Sequence, residues 1–111
     1  MGPSDVVVVL VTAPDVAVAE RLGRAVVEER LAACVNVVGP IRSIYRWEGA
    51  VVDEPEHLLI AKTVRPLVAR LEAAIRSLHP YDVPEVVVLP VIGGSAAYLA
   101  WVTAAVDATT R

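Results

Sequence analysis

The stretch that decides the fold reads Arg42-Ser43-Ile44-Tyr45-Arg46-Trp47-Glu48-Gly49-Ala50-Val51-Val52-Asp53-Glu54, followed by Leu58-Leu59-Ile60-Ala61-Lys62-Thr63. Ser43, Tyr45 and Trp47 alternate with Ile44, Arg46 and Glu48, which is strand period. Gly49 supplies a turn and a second β-rich run follows, so the segment reads as a hairpin. Two strands of about ten residues would each reach roughly 33 Å, well beyond the usual roughly 17–20 Å. A chain of 111 residues makes a small globule, so part of this hairpin should project past its own core. The projecting part carries Tyr45, Trp47, Val51 and Val52. An exposed two-stranded ribbon with that much apolar surface is marginal and sticky alone. The hairpin therefore reads as an assembly device, with another subunit as its cover.

Upstream, Val6 to Val11 is an aliphatic run without alternation, a central strand covered on both faces. Pro14 stops it and Asp15 caps a helix from Val16 to about Leu31. Ala19, Leu22, Gly23, Val26 and Val27 form the apolar face of that helix, and small Ala19 and Gly23 let it sit close to a sheet. Ala33 to Val38 is the next strand. Gly39-Pro40 interrupts it with an expected bulge or bend, since proline cannot donate to a ladder. Downstream, Pro66 opens a helix whose stripe is Leu67, Leu71, Ala74, Ile75 and Leu78, and His79-Pro80 ends it. Val86 to Leu89 is a strand at a sheet edge, limited by Pro90. Ser95 caps a last helix bearing Tyr98, Leu99, Trp101, Val102 and Val106, and the tail from Asp107 to Arg111 reads as frayed. The order β-α-β-β-α-β gives a ferredoxin-like α+β fold: an antiparallel sheet with two helices on one face, a long hairpin and an extra C-terminal helix. One domain is expected over residues 1–111, with its core at about 5–106.

Composition narrows the function. Hydrophobic residues make up 56% of the chain and charged residues 21%, an apolar excess that favours an oligomer in so small a protein. The net charge of −3 comes with no basic cluster, so a nucleic-acid partner is not expected. The single cysteine forms no internal disulfide and suits a reducing cytoplasm. Met1 to Asp5 lacks the pattern of a signal peptide, and Val6 stands where myristoylation wants Ser or Thr. No apolar run approaches the ~18 residues of a membrane span.

Several motifs, taken in order, resemble one known family. They are Glu28-Glu29-Arg30-Leu31-Ala32-Ala33-Cys34-Val35-Asn36, Ser43 to Gly49, Ala61-Lys62-Thr63, His79-Pro80-Tyr81-Asp82-Val83-Pro84-Glu85 and Tyr98-Leu99-Ala100-Trp101. The family is the CutA divalent-cation tolerance proteins, and the likeness runs from Val6 to about Val106. The resemblance implies a homotrimer assembled through the hairpin, a link to copper and other divalent ions, and an architecture similar to the PII signalling trimers. Ala50, Pro55 and His57 depart from the family's pattern; His57 adds an imidazole peculiar to this chain.

Cys34 lies in an apolar strand and reads first as a small buried hydrophobe; a thiolate would suit copper. His79 reads first as a helix-end hydrogen-bonding group, and as a metal ligand beside Asp82 and Glu85 in the sharper reading. Cys34, His79 and Glu85 are thus the candidate metal ligands, with no obligatory cofactor and no zinc-finger spacing. Glu48, Asp53, Glu54 and Glu56 form an acidic stretch that protects a strand edge or binds divalent ions weakly. Tyr45, Trp47, Tyr98 and Trp101 are interface residues, or the walls of a ligand cleft with Lys62 and Glu85 as its polar groups. An acylphosphatase-type enzyme is rejected. Thr12-Ala13-Pro14-Asp15 has neither the glycine nor the arginine such a phosphate loop needs. Two functions remain: a copper-responsive trimer, and a PII-like trimer that binds a small effector between subunits.

Overall fold

The computed structural model describes residues 5–106; the expectations for the opening residues and for the tail from Asp107 lie outside them. Strand β1 (Val6–Ala13) is the aliphatic run, and Val7, Val9, Val11 and Ala13 are almost fully buried. Helix α1 (Val16–Glu28) starts where the Asp15 carboxylate accepts a hydrogen bond from the Val18 amide at 2.9 Å, which satisfies an otherwise orphaned donor. It stops before the expected Leu31. Arg30 adopts φ 59°, and the amides of Arg30 and Leu31 return to the carbonyls of Val27 and Val26. That left-handed closure is a Schellman cap built without glycine. Gly23 allows the close approach of α1 to the sheet, because a Cβ there would meet Val35 Cγ1 at 3.2 Å.

The hairpin is longer than expected. Strands β2 (Cys34–Trp47) and β3 (Ala50–Val64) have 14 and 15 residues. Both turn residues, Glu48 (φ 49°) and Gly49 (φ 81°), have positive φ, the geometry that matches strand twist in a two-residue hairpin loop. The pairing of β2 with β3 shifts register between Val38 and Ile41, around a cis Gly39-Pro40 bond. The bulge expected at Gly39-Pro40 is there. β1 pairs with β3 only from Val6↔Val64 to Ala13↔His57. Residues 50–56 of β3 therefore pair with β2 alone, a ribbon of roughly 20–25 Å. This overhang accounts for the elongated 43 × 26 × 22 Å shape. Pro55 lies in it, opposite Arg42 on β2 and with no strand on its other side.

A 3₁₀ turn (Arg65–Leu67) leads into α2 (Val68–Leu78), which buries Leu71 and Ile75. Strand β4 (Val87–Pro90) pairs with β1 at the sheet edge, and the order across the antiparallel sheet is β2-β3-β1-β4. This is the ferredoxin-like arrangement. Helices α1 and α2 contact each other, and α1 packs on β1, β2 and β3. Their core contains Leu22, Val26, Leu59, Leu71 and Ile75. Helix α3 (Ala96–Ala105) closes the end of the sheet around Val6, Val64 and Leu67 through Leu99, Val102 and, just beyond it, Val106. No helix among the described residues is long and apolar enough to cross a membrane.

The other sheet face is covered, among the described residues, only by α3 at its Val6–Val64 end. Directly paired residues share a face, so Cys34, Asn36, Val38, Tyr45 and Trp47 of β2 lie with Val52, Glu54, Leu58, Ile60 and Lys62 of β3. Val8, Leu10, Val87 and Leu89 continue that face. Val38, Val87 and Leu89 are about two-fifths exposed, at 42%, 44% and 44%. An open, largely aliphatic sheet face runs out along the overhang.

Candidate ligand cleft beside the hairpin

The base of the overhang forms one wall of a cleft of about 710 Å³, lined by residues that include Thr12, Arg42, Tyr45, Trp47, Glu54, Glu56, Tyr81, Asp82 and Glu85. The strand alternation brings Tyr45, Trp47, Glu54 and Glu56 to one side. The loop between α2 and β4 brings Tyr81, Asp82 and Glu85 to the other. His79 anchors that loop: its Nε2 meets the Thr12 carbonyl at 2.7 Å, and its Nδ1 accepts from the Tyr81 amide at 3.1 Å. Since Nδ1 accepts, Nε2 is the donor to the carbonyl. The His79 and Tyr81 rings lie 4.6 Å apart.

Two phenol–carboxylate pairs define the electrostatics. The Tyr45 hydroxyl donates to Glu54 at 2.5 Å, and the Tyr81 hydroxyl donates to Glu56 at 3.0 Å. The hydrogen bond to Glu54, then burial, then the charges of Glu54 and Glu56 push Tyr45 up to about 12. Burial first, then Glu56, pushes Tyr81 up as well. Tyr98, outside the cleft, is raised by burial and then by its neighbour Cys34. A phenol held this way binds its proton more tightly in the folded protein. Its stabilising contribution is complete below the unfolded value near ~10 and fades as pH rises through the folded one. The tyrosinate absorbance of the native protein is accordingly expected to show no full step near pH 10, whereas the denatured protein titrates there. Two or more of the phenols ionising near pH 10 in the native state would contradict the geometry.

The expected site residues fall into two groups within one chain. Tyr45, Trp47 and Glu85 line the cleft. Cys34, Lys62, Tyr98 and Trp101 gather elsewhere. Cys34 lies in register with Lys62, its Sγ is 4.0 Å from Asn36 Oδ1, and the Lys62 ammonium donates to that same oxygen. Tyr98 packs at 5.6 Å on Trp101 and reaches Cys34. Cys34 and His79 are not neighbours in one chain. The Thr12 carbonyl that holds His79 lies two strands across and level with Leu58 rather than Lys62, a separation of roughly 15 Å. Among the described residues, no group of three or more His, Cys, Asp or Glu side chains is placed to hold a metal ion. His57 packs its ring against Gly39, with Nδ1 buried and lacking a hydrogen-bond partner among the described residues. Arg42 forms a two-pronged ion pair with Asp53 at 2.6 and 2.7 Å; the pair holds Asp53 below the usual carboxylate range. Thr12 and Tyr81 were not singled out from sequence. Glu54 and Glu56, two apart on a strand and so on one face, carried a signal that could have marked the cleft.

Fold and cleft define a ferredoxin-like α+β protein with an overlong hairpin and an acidic, aromatic-walled cavity at its base. The chain belongs to the CutA1 divalent ion tolerance protein family, whose model matches residues 7–105. It is 50% identical over 94 residues to the divalent-cation tolerance protein CutA of Thermus thermophilus, covering 85% of this chain and 91% of that one. It is 48% identical over 100 residues to protein CutA of Homo sapiens, covering 90% of this chain but only 56% of the human protein. The crystal structure of CutA from Xylella fastidiosa superposes with a TM-score of 0.91 at 38% identity, over 94% of this chain and 100% of that one.

Proposed function

We propose that this chain is a cytoplasmic, non-enzymatic homotrimer of divalent-cation tolerance that binds copper or a similar ion with modest affinity. The observation that carries the assembly is the overhang. Ile44, Trp47 and Val51 are 65%, 52% and 66% exposed on the projecting ribbon, while the open sheet face that carries Trp47 continues over the body of the sheet through Val38, Val87 and Leu89. Two different patches of one chain that cover each other make a head-to-tail contact, which forms a ring when the rotation between neighbours closes. Three subunits is the number the family resemblance implies.

The copper reading draws on Cys34, His79 and Glu85. Their separation within one chain means that a shared site takes ligands from more than one subunit, and that His79 gives up a hydrogen bond to join it. A thiolate, an imidazole and a carboxylate from adjacent chains form a donor set that copper accepts. Calorimetric copper titration of the wild type, Cys34→Ser and His79→Ala tests this, with oligomeric mass checked in each. Affinity is expected to fall by about tenfold or more in Cys34→Ser, roughly one lost ligand. Wild-type affinity in both trimeric variants would make these residues structural.

A second reading is favoured by the cleft: a PII-like trimer that takes a small effector beside the hairpin. Its volume of about 710 Å³ is in the range of small-molecule sites.

A further inference from the structure

The effector reading leaves the chemistry of the effector open, and the lining of the cleft narrows it. Glu54, Glu56, Asp82 and Glu85 all line the cavity, and the one basic group on its wall among the described residues, Arg42, is already paired with Asp53. Glu56 is only 5% exposed, and its hydrogen-bond partner is the Tyr81 hydroxyl. Among the described residues no cation pairs with it. A carboxylate withdrawn from water costs free energy unless a countercharge or several donors replace the lost hydration. One phenol leaves most of its lone-pair positions open. The Tyr45 phenol is raised first by its hydrogen bond to Glu54 and the Tyr81 phenol first by burial, and the charges of Glu54 and Glu56 add to both.

Size and walls decide which cation. The carboxylates do not converge as a metal-binding cluster, and the cavity is far larger than one dehydrated ion. Tyr45, Trp47 and Tyr81 supply aromatic and apolar surface, which attracts an organic ammonium or guanidinium through ring faces as well as through charge. A small anion meets repulsion from every free charge on the lining. We infer that the cleft binds a small organic cation of the amine class, with Glu56 as its buried countercharge and Trp47 and Tyr45 as walls. The inference rests on the effector reading and names the ligand class of that same cleft.

Spermidine serves as the probe, with magnesium alone, copper alone and inorganic phosphate as comparisons. Trp47 fluorescence is followed in a Trp101→Phe background, because these are the two tryptophans of the chain. Spermidine is expected to change Trp47 emission with a submillimolar midpoint, and phosphate to leave it unchanged. Glu56→Gln keeps an acceptor for Tyr81 but removes the charge; it should weaken spermidine binding about tenfold or more, as loss of a charged hydrogen bond does. No response to spermidine at about 10 mM, equal binding by Glu56→Gln, or displacement of spermidine by submillimolar magnesium or copper would each overturn the inference. Oligomeric mass, measured on the same samples, separates the two failures. A trimer without spermidine binding refutes the ligand class alone, and spermidine binding by a monomer refutes the assembly alone.

Discussion

Trp47→Asp is expected to split the assembly into single chains or unfold it at micromolar concentration. Trp47 immediately precedes the Glu48-Gly49 turn on a ribbon that pairs only with itself, and it is 52% exposed within one chain. Covered by a neighbour, an aspartate there would be buried without a partner. A charge left in that state costs about 3–5 kcal/mol, roughly 10²- to 10⁴-fold in the association constant of each contact. Sedimentation velocity at several concentrations measures the change. Trp47→Phe, which keeps an aromatic anchor, should remain assembled. An unchanged mass for Trp47→Asp would place the hairpin tip in solvent and remove the reason for the overhang.

The second large effect concerns the subunit core. Leu59 sits on the central strand β3, 1% exposed, between Val11 on β1 and Val37 on β2 and close under Gly23. Leu59→Ala removes a fully enclosed side chain and leaves a cavity that rigid strands cannot collapse into, at about 2–5 kcal/mol. Urea unfolding at fixed protein concentration should move to a midpoint lower by on the order of 1–2 M. The concentration must be fixed because assembly of the proposed trimer would be linked to folding. A loss below about 1 kcal/mol would contradict the position of β3 at the centre of the core.

Much of this fold was legible because local signals and tertiary demands agree. The aliphatic run at Val6, the Asp15 and Ser95 caps, the stripe Leu71–Ile75 and the turn at Gly49 each have a local physical cause. The helix end at Glu28 was not legible: only glycine or asparagine announces a left-handed cap, and here Arg30 takes that conformation. The hairpin length was underestimated because Gly39-Pro40 reads as a break before the hairpin, whereas β2 runs through it with a register shift; Pro55 is tolerated where no third strand needs its amide. The cleft was half legible. Tyr45, Trp47 and Glu85 come together through strand alternation and one loop. Lys62 and Tyr98 do not join them, because register pairs Lys62 with Cys34, far along the sheet from Glu54 and Glu56. Distances of that kind depend on strand register, which composition and periodicity leave open.

Sedimentation equilibrium of the unmodified protein tests the central claim most directly. A single species at three times the 11.8 kDa chain mass is expected, holding down to low micromolar concentration. A stable species of one chain mass under the same conditions would contradict it.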